Sequence, residues 1–247
     1  MAREAKAKPA ARGGRGRKRQ RRPSRWQRAR RWLGRGALGV VGLVAALVLL
    51  WAVVNPPTTP YMFAEGRRLG GVAQQWVPME RIAPVMARAV VAAEDANFCT
   101  HWGFDLAAIR ATLDAGSRRG ASTIDQQVVK NVYLWQGRSW LRKALEAGLT
   151  PLVDLVWSKR RILEVYLNVA EFGEGVFGVE AAARHWFGTA AADLTPVQAA
   201  RLAAILPDPK HRSPASPTDA LRRRAARILD GAATIAADGR AACFQAS

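Results

Sequence analysis

Residues 36–54 read GALGVVGLVAALVLLWAVV, nineteen positions without a charge. At about 1.5 Å per residue a helix of that length crosses a hydrocarbon core of roughly 30 Å, so the pattern predicts one transmembrane helix. A cleavable signal peptide is the alternative. Its apolar core would be about 7–15 residues long and would lead into small residues, whereas this run ends in Trp51 and then Asn55-Pro56-Pro57. Further on, apolar positions recur at helical spacing in stretches punctuated by Pro78, Pro84, Pro151, Pro196 and Pro207. The spacing predicts helices over residues 85–94, 106–113, 124–134, 141–149, 160–168 and 196–206. Strand-like alternation is confined to residues 64–76, where a short hairpin is expected. Residues 61 to 235 therefore make one mainly α domain with its own core. The anchor is expected to raise the local concentration of that domain at a membrane rather than to supply catalytic groups, so deleting residues 1–54 should leave it folded but less active on a membrane-embedded substrate.

Charge changes the picture at the N-terminus. Of 38 basic residues, fifteen lie in residues 1–35, where Glu4 is the one acid. An Arg-rich block beside an apolar helix stays on the cytoplasmic side, which places everything after Pro56 outside the cytoplasm. Trp26 and Trp32 fit an interfacial belt. The same arm could instead hold RNA or DNA phosphates, but its position beside the anchor favours topology and anionic lipid. The remainder, 23 basic against 18 acidic residues, is not a uniformly basic nucleic-acid-binding domain, and 49% apolar composition excludes a disordered chain. Two cysteines exclude a disulfide scaffold, and no Cys/His cluster has zinc spacing. The organisation expected is a basic arm (1–35), an anchor (36–54), a linker (55–75), a catalytic-sized domain (76–235) and a tail (236–247).

Three constellations in the domain carry candidate chemistry. Glu94 and Asp95 sit where an apolar helix ends, and a carboxylate there has its charged form disfavoured, as a proton acceptor near neutral pH requires. The bland reading is two acids facing water. Next, Gly120 to Gln127 reads as a loop entering a helix, with Ser122 as N-cap and Asp125 or Gln126 returning the bond. On that helix Ile124, Val128 and Val132 form a core stripe, while Gln127, Lys130 and Asn131 share another face suited to phosphate and sugar hydroxyls, or to plain solvent. Finally, Lys130, Arg138 and Arg142 make a cationic cluster able to hold a diphosphate, with Glu146 as a second carboxylate. Arg142 and Glu146 are equally an ordinary i,i+4 ion pair.

The order of the pieces decides among these readings. EDxxFxxHxG (Glu94 to Gly103), GxSTIxQQxxKN (Gly120 to Asn131), RKxxE (Arg142 to Glu146) and RRILEVYLN (Arg160 to Asn168) together resemble the monofunctional biosynthetic peptidoglycan glycosyltransferases. These form glycosyltransferase family 51, whose domain also occurs in class A penicillin-binding proteins. The likeness runs from about Trp76 to Pro209. It implies a lysozyme-like helical fold behind one transmembrane helix, and polymerisation of the lipid-linked precursor (lipid II) into β-1,4 glycan on the outer face of the inner membrane. It implies Glu94 as general base, Glu146 as second carboxylate, Lys130 and Arg138 on the diphosphate, and Ser122, Gln127, Asn131 and Arg142 around the cleft. Arg110 matches a further family arginine. Two departures stand out: Ala121 where many members have Gly, and Asp125 where many have Thr or Ser, an extra negative charge expected near the cleft. No cofactor or resident metal is implied, although Mg2+ or Mn2+ could bridge diphosphate and carboxylate. The implied partners are the precursor, the growing strand, membrane lipid and cell-wall synthesis proteins, with no nucleic acid.

Two other functions remain open on sequence. A lytic transglycosylase or muramidase would share the fold and a catalytic Glu without needing Lys130 and Arg138. A non-catalytic scaffold would use residues 1–35 and ignore the motifs. Cys99 and Cys243 both fall outside the cytoplasm on this topology and are either bridged, or buried and free respectively.

Overall fold

The structure, a computed structural model, describes residues 24–114, 116, 122–137 and 139–245. The chain divides into two compact units, residues 1–45 and 46–247, within the first helix, α1 (Arg25–Trp51). Residues 28–51 are long and apolar enough to cross a membrane. In the first unit Trp26, Trp32, Leu33 and Leu38 are exposed, as side chains that face lipid would be.

The second unit begins with the last turns of α1 and continues through α2 (Pro60–Leu69), strand β1 (Ala73–Gln74), α3 (Pro84–Glu94), α4 (Leu106–Asp114), α5 (Ile124–Tyr133), α6 (Trp140–Val156) and α7 (Lys159–Val169). Strands β2 (Glu171–Gly173) and β3 (Val176–Phe177) follow, then α8 (Val179–Phe187), α9 (Pro196–Ile205) and α10 (Asp219–Ala237). The fold is mainly helical, as expected. The small sheet has the order β1-β3-β2, with β1 parallel and β2 antiparallel to β3.

Helix starts are set by local chemistry. Thr59, Ser139, Ser158, Thr195 and Thr218 each cap the helix that follows, and proline occupies the first turn of α2, α3 and α9. α3, α9 and α10 pack on one another, and α5 lies between α6 and α7. Met86, Val90, Phe98, Ile124, Val128, Ile162, Tyr166 and Leu202 fill the interior with essentially no exposure.

Three expectations are corrected. Residues 64–76 are not a hairpin: residues 64–69 are the second half of α2, capped by Gly70 at φ +78°, and β1 pairs with β3 about a hundred residues on. Pro151 does not end a helix but lies inside α6, where it removes one intrahelical donor. The end of α1 is not independent of the domain. Val48 is 1% exposed, its carbonyl accepts the Trp157 indole N–H at 2.8 Å, and Arg161 donates to the carbonyls of Trp51 (3.1 Å) and Val54 (2.8 Å).

Polar residues of the fourth motif prove architectural. Asn168 makes a two-way pair with the backbone of Val77 (2.8 and 2.9 Å), and Glu164 accepts the Met79 N–H at 3.1 Å. They pin the segment that leads from the sheet into α3.

Candidate active site

α3 is apolar along most of its length and ends at Glu94, and the two acids there part at once. Asp95 is 7% exposed and turned inward. Its Oδ2 accepts the Ile124 N–H at 3.0 Å, at the start of α5, and its Oδ1 lies 2.9 Å from His101 Nε2. The charge thus meets a helix N-terminus and an imidazole. Burial disfavours a proton on His101, but the hydrogen bond and charge of Asp95 outweigh it and the net shift is upward. Gly103 closes the motif at φ +74°, where a Cβ would come within 2.8 Å of Thr150 Cγ2. So Asp95, His101 and Gly103 build the corner, and Glu94 faces the cleft.

Gln127 Nε2 donates to Glu94 Oε2 at 2.9 Å, and Gln127 Oε1 accepts from the Tyr166 hydroxyl at 3.1 Å, which fixes which way the amide points. Arg224 of α10 reaches to 3.7 Å from Glu94 Oε1. Burial raises the Glu94 pKa, while Gln127, Arg224 and Lys130 pull against it. A carboxylate so placed holds its proton to higher pH than an exposed one, as a proton acceptor in catalysis requires.

One turn along α5 stands Lys130. Its pKa is lowered, chiefly by burial, with Glu146 and Glu94 acting in the opposite direction. Glu146, 3% exposed, is bracketed by Arg142 Nη1 at 2.6 Å and by the Lys143 ammonium. Asn131 accepts from Gln136 at 3.2 Å, and Lys143 lies 3.5 Å from Ser122 Oγ. Two open cavities flank the Glu94–Gln127 pair: one of about 220 Å³ lined by Gln127, Lys130, Asn131 and Tyr166, and one of about 170 Å³ lined by Glu94, Asn97, Asp105 and Ser122.

The fold therefore brings Gln127, Lys130 and Asn131 to one cavity and Glu94 and Ser122 to the other, with Arg142 and Glu146 near enough to act on the Lys130 charge. Arg110 is not among them: it is exposed on α4, without a hydrogen bond or ion pair among the described residues. Arg138 and Ala121 lie outside the described residues. Ser122 is not the cap of α5. Thr123 is, in a reciprocal box with Gln126 (3.3 and 3.1 Å).

Asp125 does not face the cleft either. It is fully buried against Lys159 Nζ at 2.9 Å, and Lys159 also meets Asp154 at 2.6 Å. Burial is the main reason its pKa is pushed up to about 7. Asp95, His101 and Asp125 offer ligand atoms within 4.8 Å of one another, the one such group among the described residues. Lys159 already supplies a cation there, and Asp95 and His101 are committed to each other and to Ile124.

Sequence reasoning missed Arg224 and the role of Tyr166. Arg224 was detectable only as one of three arginines, 222–224, beside the apolar stripe Leu221, Ala225, Ile228. Tyr166 lies in the apolar run of the fourth motif and also packs in the core, at 1% exposure.

The pattern that defines the transglycosylase family matches residues 64–233. A biosynthetic peptidoglycan transglycosylase of Jannaschia sp. (strain CCS1) is 61% identical over 218 residues, covering 88% of this chain and 91% of the relative. One from Rhodospirillum centenum is 49% identical over 213 residues, covering 83% and 91%, and one from Yersinia pseudotuberculosis is 50% identical over 192, covering 72% and 79%.

Proposed function

The chain belongs to the transglycosylase family, glycosyltransferase family 51, and from that premise we propose that it polymerises lipid II into β-1,4 glycan at the outer face of the inner membrane. It is a peptidoglycan glycosyltransferase. In the proposed reaction Glu94 takes the proton of the acceptor sugar's 4-hydroxyl. The oxygen attacks the anomeric carbon of the donor from the face opposite its α-linked diphosphate, so the new bond is β and polyprenyl diphosphate leaves. Lys130, with Arg138 and Arg142, neutralises the leaving group, and Glu146 braces those cations. Ser122, Gln127 and Asn131 hold sugar hydroxyls in the two cavities.

The observation that carries this reading is the half-buried Glu94 of raised pKa, aimed by Gln127 and Tyr166, with a separate ammonium one turn away. A lytic enzyme of the same fold would also use a Glu of raised pKa but would have no need of cations for a diphosphate. Lys130, with Arg142 and Lys143 around Glu146, supplies such cations, so that alternative is not favoured. The scheme needs no cofactor. Mg2+ or Mn2+ would add charge at the diphosphate, where Lys130 and Arg142 already provide it.

Residues 1–35 are assigned to the cytoplasm and residues after 54 to the periplasmic side, a topology that the Cys99–Cys243 disulfide supports because such bonds persist in oxidising compartments. Precursor, growing strand, membrane lipid and wall-synthesis proteins are its partners. Purified chain incubated with lipid II tests the proposal: glycan growth is expected, while shortening of preformed glycan, or no reaction, would overturn it.

A further inference from the structure

Beyond α10 the chain turns at Gly239 (φ +78°) and runs back against the helix that carries Glu94. Cys243 is bonded to Cys99, with their Cα atoms 5.6 Å apart. Around that bond Arg240 Nη1 donates to the Ala96 carbonyl at 3.1 Å, and Arg160 Nη1 donates to the Phe244 carbonyl at 2.9 Å. Gln245 Nε2 donates to the Pro84 carbonyl at 2.7 Å, and Gln245 Oε1 accepts from Arg88 at 2.9 Å. Residues 240–245 thus form a strap that grips α3 at both ends: Pro84 is its first residue, and Ala96 follows Glu94 by two.

Under the strap a packed path leads to the base. Phe244 is 1% exposed, with its ring 6.2 Å from Phe98, itself fully buried. The Phe98 ring carries the Lys159 ammonium at 4.8 Å and stands 6.3 Å from His101. Lys159 holds Asp125 of α5, and His101 holds Asp95, which in turn holds the first N–H of α5. From α5, Gln127 aims Glu94. The links are buried or part-buried contacts, and a shift at one would open a void or strand a charge at the next.

We propose that Cys99 and Cys243 are a redox modification site whose oxidation completes the brace that positions Glu94. The oxidant is a disulfide-bearing thiol oxidase outside the cytoplasm. One cysteine thiolate attacks the oxidant's disulfide and displaces one of its thiols, and the second cysteine then attacks the mixed disulfide. In total the two thiols lose two electrons and two protons, one S–S bond forms, and the oxidant's disulfide becomes two thiols. The reduced chain keeps its fold but holds Glu94 loosely. This rests on Glu94 being the general base.

The test compares oxidised wild-type chain, the same chain after reduction, and the Cys99→Ala/Cys243→Ala and Phe244→Ala variants. The oxidised chain should have no free thiol. Where circular dichroism shows all four folded, reduction and the double variant should cut kcat about tenfold or more with little change in KM, the signature of a displaced catalytic group. The acid limb of the pH profile should move to lower pH as Glu94 meets more water. Phe244→Ala should reproduce part of both effects with the bond intact.

Hydrogen exchange should quicken on reduction at residues 96–98 and 124–127, a readout independent of turnover. Two free thiols in the oxidised chain would overturn the proposal. So would unchanged kcat, pH limb and exchange on reduction, which would mean a staple acting on stability alone. An oxidised wild type that does not polymerise lipid II would instead count against the proposed function, and hydrogen exchange would still decide the brace.

Discussion

At the scale of single residues, Glu94 and Asp95 show how neighbours in sequence acquire opposite tasks. Asp95 has its oxygens engaged by Ile124 and His101, whereas Glu94 meets one amide and two cations beside open cavities. Glu94→Gln should keep the shape but lose about a hundredfold or more in turnover, since an amide cannot accept the proton. Single-turnover assays check this, and near wild-type rates would refute the role. Stability should respond in the other sense. The folded state raises the Glu94 pKa above its usual 4.5, so wild type gains stability from proton binding below that pH and loses it as pH rises through the raised value. The variant should therefore gain relative to wild type between about pH 4 and about pH 8 in thermal melts. Asp125 follows the same rule, with its contribution lost as pH rises from 3.8 through about 7. Asp125→Asn should thus melt higher than wild type at about pH 8 and show no such gain at about pH 4. The sequence could place Glu94 because an acid after an apolar run is informative in itself. It could not place Asp125, because a buried partner thirty-four residues away, Lys159, leaves no periodic trace.

At the scale of elements, legibility followed apolar contrast. α3, α5, α7 and α9 carry wide buried stripes, and their spacing located them within a residue or two. α2 has only Met62 and Glu65 buried and exposes Phe63, so its pattern resembled alternation. α10 escaped notice although Leu221, Ala225, Ile228, Ala232 and Ile235 recur at helical intervals, because two of the five are alanine and arginines crowd between them. α5 carries the most function for its length, and its start is fixed by Thr123, which accepts from Gln126 N and donates to the Gly103 carbonyl at 2.7 Å. Thr123→Ala removes both bonds and should cost about 1–2 kcal/mol. At about 2–4 °C per kcal/mol for a domain of this size, a lower melting temperature is expected, and an unchanged one would show that the box contributes nothing. Farther along α5, Lys130→Ala should raise KM and lower kcat together, because the diphosphate it is proposed to meet is charged before and during the reaction. Wild-type steady-state constants would reduce that cationic face to a solvated one.

At the scale of the whole molecule, the second unit begins inside α1, and its contacts say what an anchor deletion must respect. Trp157 gives its indole N–H to Val48, and Arg161 spreads its donors over the carbonyls of Trp51 and Val54 and the side chains of Asn55 and Glu164. The Trp51 ring lies 5.3 Å from that of Tyr133 on α5. In sequence Arg161 was only the second letter of a helical motif, and its reach back over more than a hundred residues could not be read there. Removing residues 1–45 takes away none of these partners and should leave the domain's melting temperature unchanged. Removing residues 1–54 exposes Tyr133 and strips the carbonyls from Trp157 and Arg161. Four hydrogen bonds, three of them from a charged donor, together with the burial of Val48, amount to about 3 kcal/mol or more, or about 6–12 °C. Melts of the two truncations in one detergent buffer decide the matter. Equal melting temperatures would mean that residues 46–54 only tether the domain, whereas the expected gap makes the last turns of the apolar helix a structural part of it.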